Sequence, residues 1–143
     1  MTPKVSVILP SYNHEQYVEA AVRSVMGQTG VDFELIVIDD GSKDRSPEIL
    51  KRLSEELGFK YIHRPNKGVV ATLNELLALT RGRYVCSFSS DDIMPPDRLK
   101  KQSDFLEAHP GAVACFGQIV PLYDDGSLRD GCALFAKRAP GDF

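Results

Sequence analysis

The chain has 143 residues, enough for one domain with a sizeable core. It carries 17 Lys and Arg against 20 Asp and Glu, and the resulting formal charge of −3 argues against a nucleic-acid partner, which would favour a basic chain. No apolar run reaches the roughly 18 residues of a membrane span, and the apolar start "MTPKVSVILP" is too short for a signal peptide, so a cytoplasmic location, peripheral to the membrane at most, is expected.

"KVSVILP" is a compact apolar run that reads as a strand buried on both faces, ended by Pro10. Asn13 then stands where an N-cap belongs, before a helix whose Val18, Ala21, Val22, Val25 and Met26 share one face. "FELIVI" is a second buried strand and runs into the turn-rich "DDGSKD". Ser46 caps a second helix with Pro47 at its first position, Leu50, Leu53 and Leu57 on its apolar face, and Gly58 as its stop. "FKYIH" is a short third strand and "RPNKG" a loop. Val70, Leu73 and Leu77 predict a third amphipathic helix, closed by Gly82. "RYVCSF" is a fourth strand ending at a double aspartate. Pro96 and Asp97 open a fourth helix with Leu99, Ser103 and Leu106 on one side, and "AVACFGQIV" is predicted as a fifth strand. The whole reads as a single domain over residues 1–143 with its core in 3–120, leaving 121–143 as a tail or the start of an acceptor-binding half.

Strands alternating with helices imply βαβ units, hence an α/β fold with a mostly parallel open sheet and helices on both faces. Ligands of such sheets bind outside the carboxyl ends of the strands. Three of these ends carry polar groups: Pro10-Ser11-Tyr12-Asn13, Asp39-Asp40-Gly41-Ser42 and Ser89-Ser90-Asp91-Asp92. Each has a plain alternative. Tyr12 can stack on a planar base or simply stand exposed at a helix start. Asp40 can accept from a base N–H or a ribose hydroxyl, or belong to an ordinary turn. Asp91 and Asp92 would repel by roughly 4 kcal/mol at a separation of about 4 Å and an effective dielectric of about 20, so either water screens them or a cation offsets them. Magnesium and similar hard cations take one or two carboxylates together with substrate phosphates. Convergence of all three segments on one sheet edge favours a cation site for a diphosphate. Neither "GxxxxGK[ST]" nor "GxGxxG" is present, so no glycine-rich cradle is expected to hold the phosphates.

In order and spacing, "VSVILPSYNHEQYVEAAVRSVMGQT", "FELIVIDDGSKDRSPEIL" and "NKGVVATLNELLALTRGRYVCSFSSDDIMPPDRL" resemble the family 2 glycosyltransferases, nucleotide-sugar enzymes of the Rossmann-like GT-A fold, from about residue 4 to 120. The resemblance implies a donor site of Pro10, Tyr12, Asp40, Lys67, Gly68 and Asp91. Tyr12 would lie against the base and Asp40 would accept from it, uracil being usual. It implies Asp91 and Asp92 as ligands of a divalent cation, manganese or magnesium, and attack by an acceptor hydroxyl on the anomeric carbon with inversion. The acceptor, whether glycan, lipid-linked or protein, is left open.

The chain departs from the family pattern at Ser89, where many relatives carry an acid, and at Leu73, where many carry an arginine before the helix asparagine. Lys67 or Arg64 would then have to meet the phosphates. The family usually continues past residue 143 and holds its catalytic base there, so no base is assigned. Asp124 and Asp125 read as a hairpin turn at Asp125-Gly126. His14, His63 and His109 are read as surface or structural residues, and Cys86, Cys115 and Cys132 as inert thiols of a reducing compartment, matching neither a zinc spacing nor a disulfide framework. Two other classes stay open. A sugar-nucleotidyltransferase would want a basic glycine-rich loop after the first strand, which "PSYNHEQY" does not supply. A non-catalytic nucleotide-sugar-binding or interaction module would keep the donor site alone, and an incomplete end would leave apolar surface for self-association.

Overall fold

Alternation along two neighbouring strands builds two cores. Strand β1 spans Val5–Ser11 and β2 spans Phe33–Asp39, and they pair in parallel from Val5 opposite Phe33 to Ser11 opposite Asp39. Because successive side chains point to opposite faces, Val5, Val7, Leu9, Leu35 and Val37 enter one core while Ile8, Ile36 and Ile38 enter the other. Both strands therefore read as continuous apolar runs, as strands covered on both faces do. Helices α1 (Val18–Met26) and α2 (Ser46–Leu57) bury Val18, Ala21, Val22, Val25, Leu50 and Leu53 in the first core, joined by Leu99 of α4 (Arg98–Ala108). Helix α3 (Val69–Ala78) closes the opposite face through Leu76. These elements come from a computed structural model that describes residues 2–123 and 125–128.

Strand β3 (Lys60–His63) pairs with β2, and β4 (Tyr84–Ser87) pairs with β1, giving an all-parallel sheet of order β3-β2-β1-β4. The predicted α/β architecture is what forms. The chain winds outward from β1 to β3, then crosses back to lay β4 on the other side of β1, so the winding direction switches at β1. There β4 stops at Ser87, opposite Ile8, while β1 and β2 run on to Ser11 and Asp39. A switch point with one short strand leaves a notch at the carboxyl edge, the place where open α/β sheets take ligands.

Four expectations need correction. Asn13 does not cap α1: it takes a left-handed turn, φ 53°, and the helix begins at Val18. Ser46 is the first residue of α2 rather than its cap, and the Asp44 carboxylate accepts its N–H at 2.9 Å. In α3 the buried positions are Thr72 and Leu76, whereas Val70 and Leu77 are exposed, and the helix ends before Gly82. Gly82 has a different task, since a Cβ there would stand 2.6 Å from the backbone nitrogen of Ser6. The fifth strand is absent among the described residues: Val113 is fully exposed, Phe116 and Ile119 are exposed, and β4 pairs only with β1. Apolar composition alone does not make a strand; its backbone groups need a partner edge. Farther on, Leu122 bridges Leu128 around Gly126 (φ 81°), the turn expected at Asp125-Gly126; Asp124 and Cys132 lie outside the described residues.

Candidate functional site

The notch opens into a cavity of about 410 Å³ lined by the ends of β1, β2 and β4 and the start of α3. Pro10, Tyr12, Asp40, Gly68 and Asp91 all contribute to its wall, as do Ser11, His14, Asn66, Thr72, Ser89 and Ser90. Lys67 and Asp92, also named from the sequence, are not part of that lining. A second hollow of about 500 Å³ lies at the opposite, strand-start edge beside Phe33 and Lys60, and its Glu34 and Arg81 side chains are paired with each other. That hollow lies away from the strand ends that carry the polar segments.

Asp40 is the hub of the β2 side. Its carboxylate accepts from the backbone N–H groups of Lys67 and Gly68, each at 2.9 Å, and from the Arg64 guanidinium. Burial pushes this carboxyl up, but the Lys67 N–H and the Arg64 charge outweigh it, and the net displacement is downward from the ordinary 3.8. The Thr72 hydroxyl also bonds to this carboxylate, so Asp40 is held by groups from the loop and from α3. Arg64 is spent here: it also reaches Glu75 and Thr72 and is buried, so it is not the phosphate contact that the sequence suggested. Lys67 contributes its backbone, while its ammonium stands 3.9 Å from Glu75. Gly41 makes the arrangement feasible, with φ 77° and the Asn66 nitrogen 2.7 Å from where a Cβ would sit. Beside it the fully buried Asp39 carboxylate accepts from Ser42 N and Oγ and meets His63 Nδ1 at 3.0 Å. His63 is thus structural, as read, and His109 stacks on Phe105 away from the cavity.

The β1 loop is tied to the β2 loop through main chain and short side chains. Asn13 N donates to Ser42 Oγ at 2.9 Å, Lys43 N donates to Asn13 Oδ1 at 2.7 Å, and His14 N donates to Ser46 Oγ at 3.0 Å. This holds Tyr12 with its ring half open to solvent at the cavity mouth, 46% exposed. Ser11 Oγ, in the same wall, is buried without a hydrogen-bond partner among the described residues. The sequence reading set His14 aside; the structure puts it in the wall, with Nδ1 2.6 Å from Ser90 Oγ. The signal available was its place, four residues after Pro10 in the same strand-end loop.

On the β4 side Asp91 and Asp92 are both exposed, and no cationic side chain pairs with either among the described residues. Water screening is enough to let two adjacent carboxylates stand there. No cluster of three or more His, Cys, Asp or Glu side chains able to hold a metal occurs among the described residues. The donor set fits a hard cation shared between these carboxylates and the oxygens of a bound ligand, rather than a cage made by the protein alone.

The sequence model of glycosyl transferase family 2 matches residues 6–131. TuaG of Bacillus subtilis, named as a teichuronic acid biosynthesis glycosyltransferase, is 38% identical over 131 residues, covering 90% of this chain and 51% of TuaG. S. aureus TarS 1–349 superposes with a TM-score of 0.68 at 31% identity, over 75% of this chain and 33% of that 1–349 chain, and has been solved with UDP and with UDP-GlcNAc. The mannosyltransferase PcManGT of Pyrobaculum calidifontis, solved with GDP-Man and Mn2+, gives a TM-score of 0.60 at 26% identity, over 66% of this chain and 29% of that one. The chain thus spans about half the length of TuaG and a third or less of these structures.

Proposed function

The chain belongs to glycosyl transferase family 2, and from that premise we propose that its notch binds the nucleotide part of a UDP-sugar, whose sugar passes to an acceptor hydroxyl with inversion. The observation that carries this reading is the gathering of Pro10, Tyr12, Asp40, Gly68 and Asp91 around one cavity at the switch point of the sheet. Tyr12 offers its ring to the base. Asp40, in the cavity wall, offers a carboxylate acceptor to an imide N–H of uracil. Asp91, with Asp92 beside it, faces the diphosphate and would hold a divalent cation, magnesium or manganese. Such a cation, when bound, neutralises charge on the departing nucleoside diphosphate. The described part of the cavity wall contains no further carboxylate to serve as general base for the acceptor.

Uracil is preferred because the TarS structures, at 31% identity, hold UDP and UDP-GlcNAc. The more distant PcManGT, holding GDP-Man, makes guanine the competitor to be tested. A polysaccharide-building role is supported by the name of TuaG. No described helix is long and apolar enough to cross a membrane, and the free thiols of Cys86 and Cys115 suit the reducing cytoplasm, where we place the reaction. The experiment is calorimetric titration of UDP and GDP with magnesium and with chelator. UDP binding that strengthens with magnesium and exceeds GDP binding is expected. Equal binding with and without the metal removes the cation from the reading, and no nucleotide binding at all removes the donor site and leaves an interaction module.

A further inference from the structure

The cavity wall, among the described residues, contains two carboxylates, Asp40 and Asp91, and no lysine or arginine. A diphosphate entering it meets repulsion unless hydrogen-bond donors or a cation face it. The wall has one imidazole, His14, and its setting is specific. The ring is anchored at Nδ1 by Ser90 Oγ at 2.6 Å, and Ser90 is itself only 3% exposed. Its Nε2 makes no hydrogen bond among the described residues, so one nitrogen is fixed by the protein and the other has no protein partner there. Backbone bonds hold the loop from both sides, through Asn13 to Ser42 and through His14 N to Ser46. The Tyr17 ring flanks the imidazole in a T-shaped arrangement, with ring centroids 6.3 Å apart.

Sheet order decides which part of the ligand His14 would meet. Asp40 and Gly68 lie on the β2 side of β1, where the base is assigned; Ser90 and Asp91 follow β4 on the other side. His14 reaches across the end of β1 to the β4 side, next to the carboxylate assigned to the diphosphate. We propose that His14 Nε2–H donates a hydrogen bond to a phosphate oxygen of the nucleoside diphosphate, while the Ser90 hydroxyl donates to Nδ1 and fixes that tautomer. A neutral imidazole suffices, so the contact needs no proton uptake. This inference rests on the nucleotide-sugar reading and assigns a phosphate contact within it, in the place left by Arg64, which Asp40, Glu75 and Thr72 occupy.

The test uses the full chain, labelled with 15N-histidine, in magnesium buffer. UDP and uridine are titrated into the wild type and into His14→Asn and His14→Gln. Asparagine keeps a polar atom near the Nδ1 position and places none at Nε2; glutamine reaches Nε2. We expect His14→Asn to weaken UDP about tenfold, the low end of a hydrogen bond to a charged group, with uridine affinity unchanged and part of the loss restored in His14→Gln. We also expect wild-type His14 to stand in the Nε2–H tautomer in the 15N spectrum and UDP, but not uridine, to shift its Nε2 resonance. Unchanged UDP affinity in His14→Asn, equal losses for UDP and uridine, or a His14 Nε2 resonance unmoved by UDP would each overturn the phosphate contact while leaving the donor site standing. A wild type that binds no UDP takes down the site and the contact together. The 15N measurement needs no variant, so a substitution that failed to fold would still leave a decisive result.

Discussion

Asp40 and Arg64 form a buried ion pair across the ends of β2 and β3, and the same carboxylate receives the N–H groups of Lys67 and Gly68. The aspartate expected to read a base is therefore also the anchor of the loop that leads into α3. Breaking a buried pair by deleting one partner typically costs about 3–5 kcal/mol. We expect Asp40→Ala to lower the unfolding free energy, read from urea denaturation, by an amount in that range, so its effect on UDP is to be read only where the variant is shown to be folded. A loss below about 1 kcal/mol would show that the loop does not depend on this carboxylate.

The same anchor gives an acid signature. Burial acts to raise the Asp40 carboxyl, and the Lys67 N–H and Arg64 act more strongly to lower it, so its folded value lies below its unfolded one. Stability from such a depressed group is present above the unfolded value, near 3.9, and is lost as pH falls through the folded value. Urea midpoints of wild type and Asp40→Asn should therefore differ most at pH 5–6 and converge as pH falls through the folded value of Asp40. A gap that stays constant over that interval would mean that the charge of Asp40 is not what stabilises the fold.

Gly41 is expected to tolerate no side chain. Its φ of 77° and the 2.7 Å approach of Asn66 N to an added Cβ combine backbone strain with a clash against main chain. Gly41→Ala should destabilise by about 1–3 kcal/mol and loosen the loop over residues 65–68, seen as faster amide exchange at Lys67 and Gly68. Gly126→Ala, with φ 81° but open space around the added Cβ, serves as the milder control.

In the proposed donor site Tyr12 bears on the base and the two aspartates after β4 bear on the diphosphate, and substitutions there separate the two. Tyr12→Ala should cost UDP about 1–3 kcal/mol of binding, the scale of base stacking, with Tyr12→Phe close to wild type and the midpoint of unfolding unmoved. Asp91 lines the cavity and Asp92 does not. Asp91→Asn should thus lower the magnesium-dependent gain in UDP affinity about tenfold or more, and Asp92→Asn by less. The reverse order in calorimetry would reassign the principal ligand to Asp92.

Asp125 is expected to have no part in transfer. Its Oδ1 accepts from Ser127 N at 2.8 Å inside an exposed turn, and the Ser127 hydroxyl together with that N–H holds its carboxyl below the ordinary value. We expect residues 1–143 to bind UDP and to release almost none from UDP-sugars with or without mixed acceptors, since general-base catalysis typically contributes about 10²–10⁴-fold. Acceptor-dependent turnover that disappears in Asp125→Asn would make this turn the base.

Local sequence determined the elements because their causes are local. Continuous apolar runs mark β1 and β2 as strands covered on both faces, the Val18, Ala21, Val22 and Val25 spacing sets the buried face of α1, and Gly58 ends α2 in a left-handed turn. The strand-end segments with Tyr12, Asp40 and Asp91 were legible for the same reason. What the tertiary structure decided is who meets whom. Asp40 finds Arg64 and the N–H groups of Lys67 and Gly68 at separations of 24, 27 and 28 residues, and His14 finds Ser90 at 76. Those partners depend on the sheet order β3-β2-β1-β4, which no window of residues encodes. The face that α3 buries, Thr72 and Leu76 rather than Val70 and Leu77, follows a loop tied to Asp40, and Thr72 itself meets Arg64. The apolar stretch 112–120 forms no strand among the described residues, because backbone hydrogen bonds must be made to an edge and hydrophobic composition does not supply one.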